Sequence, residues 1–249
     1  VSAIGANPAW YHTIELPDAG VTPGHVDWRG YSARLLGSDL SGVRALDVGT
    51  YDGFWAFEME RRGAEVVAID LDRLDAAAWP PVHRAKLTAD AEAFGLELGR
   101  GFRIAHDLLD SSVQRVVCDV LELTPAAVGG AGFDLAFVGA LLLHLRDPVR
   151  ALERVRSVLA PGGRVILLEA ISLTETLRGP RTPLARFDTA NNVFNWWLPN
   201  VRALSDYLWA AGFVSRRRVS GLLRPPARDS MRCFYCAIEA FAPPAGPER

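Results

Sequence analysis

Residues 43–55, V-R-A-L-D-V-G-T-Y-D-G-F-W, constrain the fold of this chain more than any other stretch. The apolar run Val43 to Val48 reads as a buried strand closed by a glycine turn. A helix is predicted from Phe54 through Trp55, Phe57 and Met59 to a stop at Arg61-Arg62-Gly63. Strand, glycine turn and helix together make the plan of a nucleotide-binding α/β unit. Gly49 and Gly53 supply a sharp turn and room for a ligand where a Cβ would collide. The next strand, Glu65 to Ile69, ends on Asp70, 23 residues after Asp47. A carboxylate there can accept hydrogen bonds from both hydroxyls of a ribose.

Asp47 lies before the first glycine and puts a fixed negative charge beside the turn. That charge repels a pyrophosphate and attracts an ammonium group, which argues against a dinucleotide. The pattern D-x-G-x-x-x-G resembles the first motif of class I S-adenosylmethionine (SAM) methyltransferases, usually [DE]-x-G-x-G-x-G, with Tyr51 in place of the middle glycine. The resemblance implies donor contacts from Asp47, Gly49, Thr50, Gly53 and Asp70. It also implies Leu71 in the adenine-flanking loop, and SAM as cofactor with S-adenosylhomocysteine as product.

Further strands are expected at Val113–Cys118, Phe133–Val138 and Arg164–Glu169. A hairpin of Phe213–Ser220 with Met231–Phe241 finishes the sheet. Asp119, after the third strand, is either an acceptor for an adenine amino group or a local cap, with Val120 beside it. Gly139 at the end of the fourth strand leaves room for a ligand. Asp147 and Pro148 read as the cap and first residue of a helix to Leu159, which Pro161-Gly162-Gly163 stops. Asn200 caps another helix, Val201–Ala211. Residues 80–100 look irregular or like short helical pieces, and F-R-I-A-H-D-L-L-D has helical spacing.

The fold expected is therefore α/β and Rossmann-like: five parallel strands plus a C-terminal antiparallel hairpin, flanked by helices. Residues 1–42 form an N-terminal arm or lid with a short helix near Tyr31–Leu36. Residues 43–249 form the SAM-binding domain, with 171–199 as a cover insertion and a frayed tail from Ala242 to Arg249. The blocks L-D-V-G-T-Y-D-G-F-W, L-L-L-H-L-R-D-P and W-W-L-P-N resemble methyltransferase-like proteins related to the tRNA wobble-uridine carboxymethyltransferases. No counterpart is expected here for the larger N-terminal domain and the Arg-Lys-Gly block of that family. Its tyrosine after the second motif glycine is Phe54 here, and Lys86 is the only lysine among 27 basic residues. Arg232 aligns with one arginine of the family. These departures favour plain SAM over carboxy-SAM, whose extra carboxylate needs a cation and donors nearby.

Methyl transfer needs alignment of nucleophile and methyl, exclusion of water and, for a protonated nucleophile, a base. His144 stands beyond the fourth strand with a side chain suited to that task, or else ties its loop together. His12 is the second catalytic candidate, with Glu169 behind it. Tyr11, Trp55, Asn195, Trp196 and Trp197 are the substrate candidates, the tryptophans as stacking surfaces or as packing. Arm residues 10–31 and cover residues 187–200 are expected to close over one site.

The favoured function is methylation of a small aromatic or conjugated metabolite, oxygen before nitrogen or carbon, of the kind met in natural-product biosynthesis. The second reading is tRNA modification, supported by Arg216-Arg217-Arg218 with Arg224 and Arg228. The third is a SAM-binding protein without methyl transfer. A net charge of −2 and a pI near 6.2 give no general pull toward nucleic acid or membrane. Cys233 and Cys236 lie three apart on a predicted strand and point to opposite faces, so no metal is expected. No apolar span or signal segment is read, which gives a cytoplasmic expectation. Oligomeric state is left open.

Overall fold

The apolar run before the glycine turn forms strand β1 (Arg44–Val48), buried at its last four positions. A strand buried on both faces belongs at the centre of a parallel sheet. The computed structural model, which describes residues 3–190, 192–228 and 233–245, puts it there. β1 pairs in parallel with β2 (Glu65–Asp70) on one side and with β4 (Phe133–Gly139) on the other. β3 (Gln114–Val117) extends the sheet past β2, and β5 (Leu159–Ile171) extends it past β4. β7 (Phe234–Phe241) runs antiparallel to β5, and β6 (Val214–Arg218) closes that edge. The order is β6-β7-β5-β4-β1-β2-β3. The order reverses between β1 and β4, and the crevice at their carboxyl ends is where such sheets bind ligands.

Two apolar layers sandwich the sheet. One holds arm residues Trp10 and Trp28, helix α1 (Ser32–Leu36), α2 (Phe54–Glu60) and Phe102 of α4 (Arg100–Leu108). The other holds α5 (Pro148–Val158) and α7 (Val201–Ala210), through Leu152, Val155, Leu204 and Leu208. Asp147 caps α5 by accepting from Arg150 N at 3.0 Å, and Asn200 caps α7 by accepting from Ala203 N at 2.8 Å. Cys233 packs against the first layer and Cys236 lies in the second.

Two local expectations are corrected. Residues 81–93 form a thirteen-residue helix, α3 (Pro81–Ala93), with proline in its first turn. It buries only Leu87, so it has no apolar stripe to read; its alanines and long straight side chains carry the helix propensity. Pro161-Gly162-Gly163 does not stop α5, which ends at Val158; these residues fall inside β5, where its register with β4 shifts. The predicted tail reaches into residues outside those described, as do Met231 and Arg232.

The arm is part of the core, with Trp10 and Trp28 buried. A short ladder pairs Glu15–Leu16 with Gly20–Val21. The arm's far end is stitched to residues 223–228: Val26 bridges Ala227, Asp27 N donates to Pro226 O at 2.8 Å, and Arg228 N donates to His25 O at 2.9 Å. Residues 171–199 contain α6 (Leu173–Arg178) and an antiparallel pair, Ala185–Phe187 with Trp197–Pro199. Among the described residues no helix is long and apolar enough to cross a membrane.

Candidate active site

The turn after β1 is built on left-handed backbone. Gly49 and Gly53 have φ of 76° and 90°, and Tyr51, which replaces the usual glycine between them, has φ of 49°. A non-glycine residue there costs on the order of 1 kcal/mol, strain of the sort kept at functional sites. Space was expected at Gly53 for a ligand; a Cβ there would instead sit 2.3 Å from the Phe57 ring. Gly139 likewise faces protein, since a Cβ would meet the Phe137 ring at 2.8 Å and Trp55 Nε1 at 3.4 Å.

Asp47 is buried, and its Oδ2 has no hydrogen-bond partner; nor has the buried Thr50 hydroxyl. Burial pushes the Asp47 carboxyl up to about 7, with the nearby Thr50 hydroxyl, His12 and Ala56 amide pulling the other way. Asp70 accepts from Tyr51 N and from Leu71 N, each at 2.7 Å, and burial raises its carboxyl as well. Asp70 thereby ties the motif turn to the half-buried Leu71 and the loop after β2. Orphaned polar atoms of this kind call for an outside partner. Asp47 and Thr50 at one end, with Asp70 at the other, fit a donor molecule that carries an ammonium group and a ribose.

Asp119 acts as a cap: its Oδ1 accepts from Leu121 N at 2.9 Å. The Val120 side chain is buried in the second layer.

Asp52, which the sequence reading passed over, accepts from Tyr11 N at 2.9 Å, from His12 N at 2.8 Å and contacts His12 Nδ1. The signal available was its place inside the motif block, where an acidic residue is free to reach past the turn. The His12 ring stacks on Phe54 at 5.3 Å. His12, expected as a second base, is therefore an anchor that fixes the arm to the motif turn.

Beside the turn lies a cavity of about 240 Å³, whose lining includes Tyr11, His144, Phe194, Asn195, Cys233 and Tyr235. Ala140, next to Gly139, also lines it, and the Tyr11 ring stands 6.0 Å from that of Tyr51. Arm, sheet edge and cover thus meet around one hollow. A larger hollow of about 550 Å³ lies along α2 among Ile14, Phe57, Glu58 and Arg61, away from β4, His144 and the cover.

His144 Nδ1 lies 3.0 Å from Phe194 O. A carbonyl only accepts, so Nδ1 carries the hydrogen and Nε2 keeps its lone pair. Burial lowers the His144 pKa and favours that neutral form. Glu169, the weaker base candidate, is committed elsewhere: it accepts from Leu142 N at 2.7 Å, Leu143 N at 3.3 Å and Ala170 N at 2.9 Å. Burial pushes its carboxyl up to about 8, and its task is to hold the turn that presents His144.

Of the two roles open to the tryptophans, the contacts of all three are with the protein itself. Trp55 is buried and stacks on Phe137 at 4.3 Å beneath Gly139. Trp196 Nε1 donates to Ala78 O at 2.5 Å, and Trp197 Nε1 to Arg146 O at 3.1 Å. Both are pins holding the cover to the loops after β2 and β4, and Phe194 is the cover's aromatic face to the cavity. The arginine run is largely engaged within the protein. Arg216 binds Ser205 O at 2.9 Å, Arg217 pairs with Glu239, and Arg228 binds Pro23 O at 2.8 Å.

A seven-stranded sheet of this order with a motif turn after its central strand defines the class I, SAM-dependent methyltransferase fold. A methyltransferase domain model matches residues 25–216, and the chain belongs to that family. Among similar proteins are tRNA U34 carboxymethyltransferases. The one from Pseudomonas paraeruginosa is 31% identical over 78% of this chain and 51% of its own length. The one from Psychrobacter cryohalolentis is 28% identical over 80% and 50%. The chain thus spans about half the length of these relatives. Among solved structures, the Burkholderia thailandensis 1,6-didemethyltoxoflavin-N1-methyltransferase, bound to its namesake substrate and S-adenosylhomocysteine, shares the fold. Its TM-score is 0.52 at 23% identity, over 86% of this chain and 77% of that one. The [4+2]-cyclase SpnF shares it at a TM-score of 0.54 and 18% identity, over 98% and 92%.

Proposed function

We propose that this protein methylates a hydroxyl of a small, planar acceptor held in the cavity between arm, sheet edge and cover. The carrying observation is His144, neutral, its Nδ1 hydrogen given to Phe194 O, on the wall of a hollow of about 240 Å³. That volume suits a one- or two-ring molecule. When bound, SAM supplies an electrophilic methyl group on a sulfonium. Asp47 and Thr50 hold the amino-acid end of the donor and Asp70 the ribose, with Leu71, Asp119 and Val120 flanking the base. The arm and the cover exclude water, and His144 Nε2 takes the proton that the acceptor hydroxyl releases. Plain SAM is the donor in this reading, since Phe54 offers no hydroxyl to an added carboxylate.

A second reading, modification of a wobble uridine in tRNA, is favoured by the function for which the relatives are named. The internal pairing of Arg216, Arg217 and Arg228 weakens it, because those side chains are already spent on protein partners. Calorimetry with SAM, followed by a turnover screen of phenolic and enolic acceptors beside bulk tRNA, tests the choice. Donor binding with turnover on small acceptors supports the proposal, and turnover on tRNA alone reverses it. Donor binding without turnover on either leaves a binding protein, the third reading.

A further inference from the structure

Hydrogen bonds along the cover fix where Asn195 stands. Its own N–H donates to Asn192 O at 3.2 Å, and its two chain neighbours grip the turn that carries His144. Phe194 O accepts from His144 Nδ1 at 3.0 Å, and Trp196 N donates to Leu143 O at 2.7 Å. Asn195 is therefore held in register with His144 without the use of its side chain. Only 7% of the residue is exposed, and it lines the cavity of about 240 Å³. Among the described residues no hydrogen bond reaches its carboxamide. Its polar neighbours on the cover are engaged: Asn192 Oδ1 accepts from Phe194 N at 3.1 Å, and Asp188 pairs with Arg186 at 3.1 Å. Among the described residues, the side-chain polar atoms both sealed and partnerless belong to His25, Asp47, Thr50 and Arg115, so the Asn195 amide is not walled in. A buried carboxamide that is neither satisfied nor sealed opens on the cavity it lines.

We propose that the Asn195 carboxamide is the acceptor-recognition group of this enzyme, and that the acceptor carries an amide edge, a C=O beside an N–H, on the ring that bears its hydroxyl. The inference rests on the methyl-transfer reading and adds to it a substrate class. An asparagine amide presents a carbonyl and an NH₂ group in one plane, so it pairs with another amide through two hydrogen bonds at once. Seated that way, the acceptor meets His144 with its hydroxyl and Asn195 with its amide. Both anchoring points belong to backbone clamped together by the bonds to residues 143 and 144, so little ordering remains to be done on binding. A molecule without the amide edge leaves the buried carboxamide unpaired, a cost of about tenfold in affinity.

Equilibrium binding of two near-isosteric phenols, 3-hydroxybenzamide and 3-isopropylphenol, tests this on the S-adenosylhomocysteine-loaded protein by ligand-observed NMR titration. Wild type should bind the benzamide about tenfold more tightly, although the isopropyl compound is the more apolar. Asn195→Leu fills a similar space without polar atoms and should shift that ratio at least threefold toward isopropylphenol. Asn195→Ala should shift it in the same sense, and decides by the same criterion if the leucine variant loses S-adenosylhomocysteine binding. A wild-type preference for isopropylphenol, no binding of either probe, or a ratio that the variant moves less than threefold would overturn the proposal. Failure of the wild type itself to bind S-adenosylhomocysteine would instead refute the donor reading and is seen separately in the calorimetry.

Discussion

Replacing Asp47 by asparagine should make the free protein more stable and the donor site worse. The carboxylate is buried, with Oδ2 unpartnered, and its titration is lifted from 3.8 to about 7. Such a lift corresponds to about 4 kcal/mol against the ionised form once the pH exceeds both values. The sign follows from proton counts: between pH 3.8 and about 7 the native protein keeps a proton that the unfolded chain has released. Stability attributable to Asp47 therefore falls as pH rises through that window. Asparagine is isosteric with aspartate and uncharged, so Asp47→Asn removes the dependence. Burial is the largest influence on Asp47, and the smaller influences of nearby His12 and Asp70 act in opposite senses. Urea unfolding of both proteins at pH 5 and pH 8 should show the variant's advantage growing by about 2–3 kcal/mol. The same substitution should weaken S-adenosylhomocysteine by about tenfold or more, the worth of a charge-assisted hydrogen bond. An advantage that is equal at both pH values, or a less stable variant at pH 8, would refute the claim that the free site leaves this charge unsatisfied.

Three further outcomes are expected. Asp70→Ala should cost about 1–3 kcal/mol of donor affinity by calorimetry, and unaltered affinity would remove Asp70 from the donor site. Asp52→Ala strips the acceptor from two backbone amides and the His12 ring. Hydrogen exchange at Tyr11 and His12 should then quicken by an order of magnitude or more, reflecting about 1–3 kcal/mol per orphaned donor, and unchanged protection would show the arm is held by its apolar contacts alone. In the proposed mechanism the neutral imidazole of His144 is the base, and burial lowers its pKa, so the acid limb of kcat/KM should fall below pH 6.5 and vanish in His144→Ala, with turnover reduced roughly a hundredfold. A limb that persists in the variant belongs to another group.

What the sequence disclosed, and what it hid, follows from the range of the interactions involved. β1, the motif turn, α2 and the Asp147 and Asn200 caps are written in short-range terms of apolar run, glycine and capping oxygen, and they stand where the pattern put them. α3 reads in the sequence as no more than irregular chain or short helical pieces, because an exposed helix that buries one leucine has propensity without periodicity. The aromatic residues near the cavity were harder still. A tryptophan's indole N–H seeks any carbonyl, and which carbonyl lies near Trp196 or Trp197 is decided by loops some 118 and 51 residues away. His12 and Tyr235 were opaque for the same reason, since their partners lie across the chain. Tyr51 is the reverse case: its place in the glycine pattern foretold a left-handed backbone whatever its side chain.

The stitching of the arm to residues 223–228 has a consequence in time. Tyr31 donates to Arg224 O across 193 residues, and Arg228 to Pro23 O across 205. Contacts so distant in sequence form late, because the loop they close must be ordered first. On a ribosome adding roughly 5–20 residues per second, the arm waits on the order of 10–40 s for its partner to exist. Through that interval Trp10 and Trp28, buried in the finished protein, have no β7 to complete their side of the core. In refolding followed by pulsed hydrogen exchange, the Asp27 and Arg228 amides should gain protection after Leu46 does, and simultaneous protection would argue for a nucleus that already includes the arm. The cavity between arm, sheet and cover thus takes shape only after residues 223–235 have been made, so a chain that stops short of them has the motif turn without the hollow beside it.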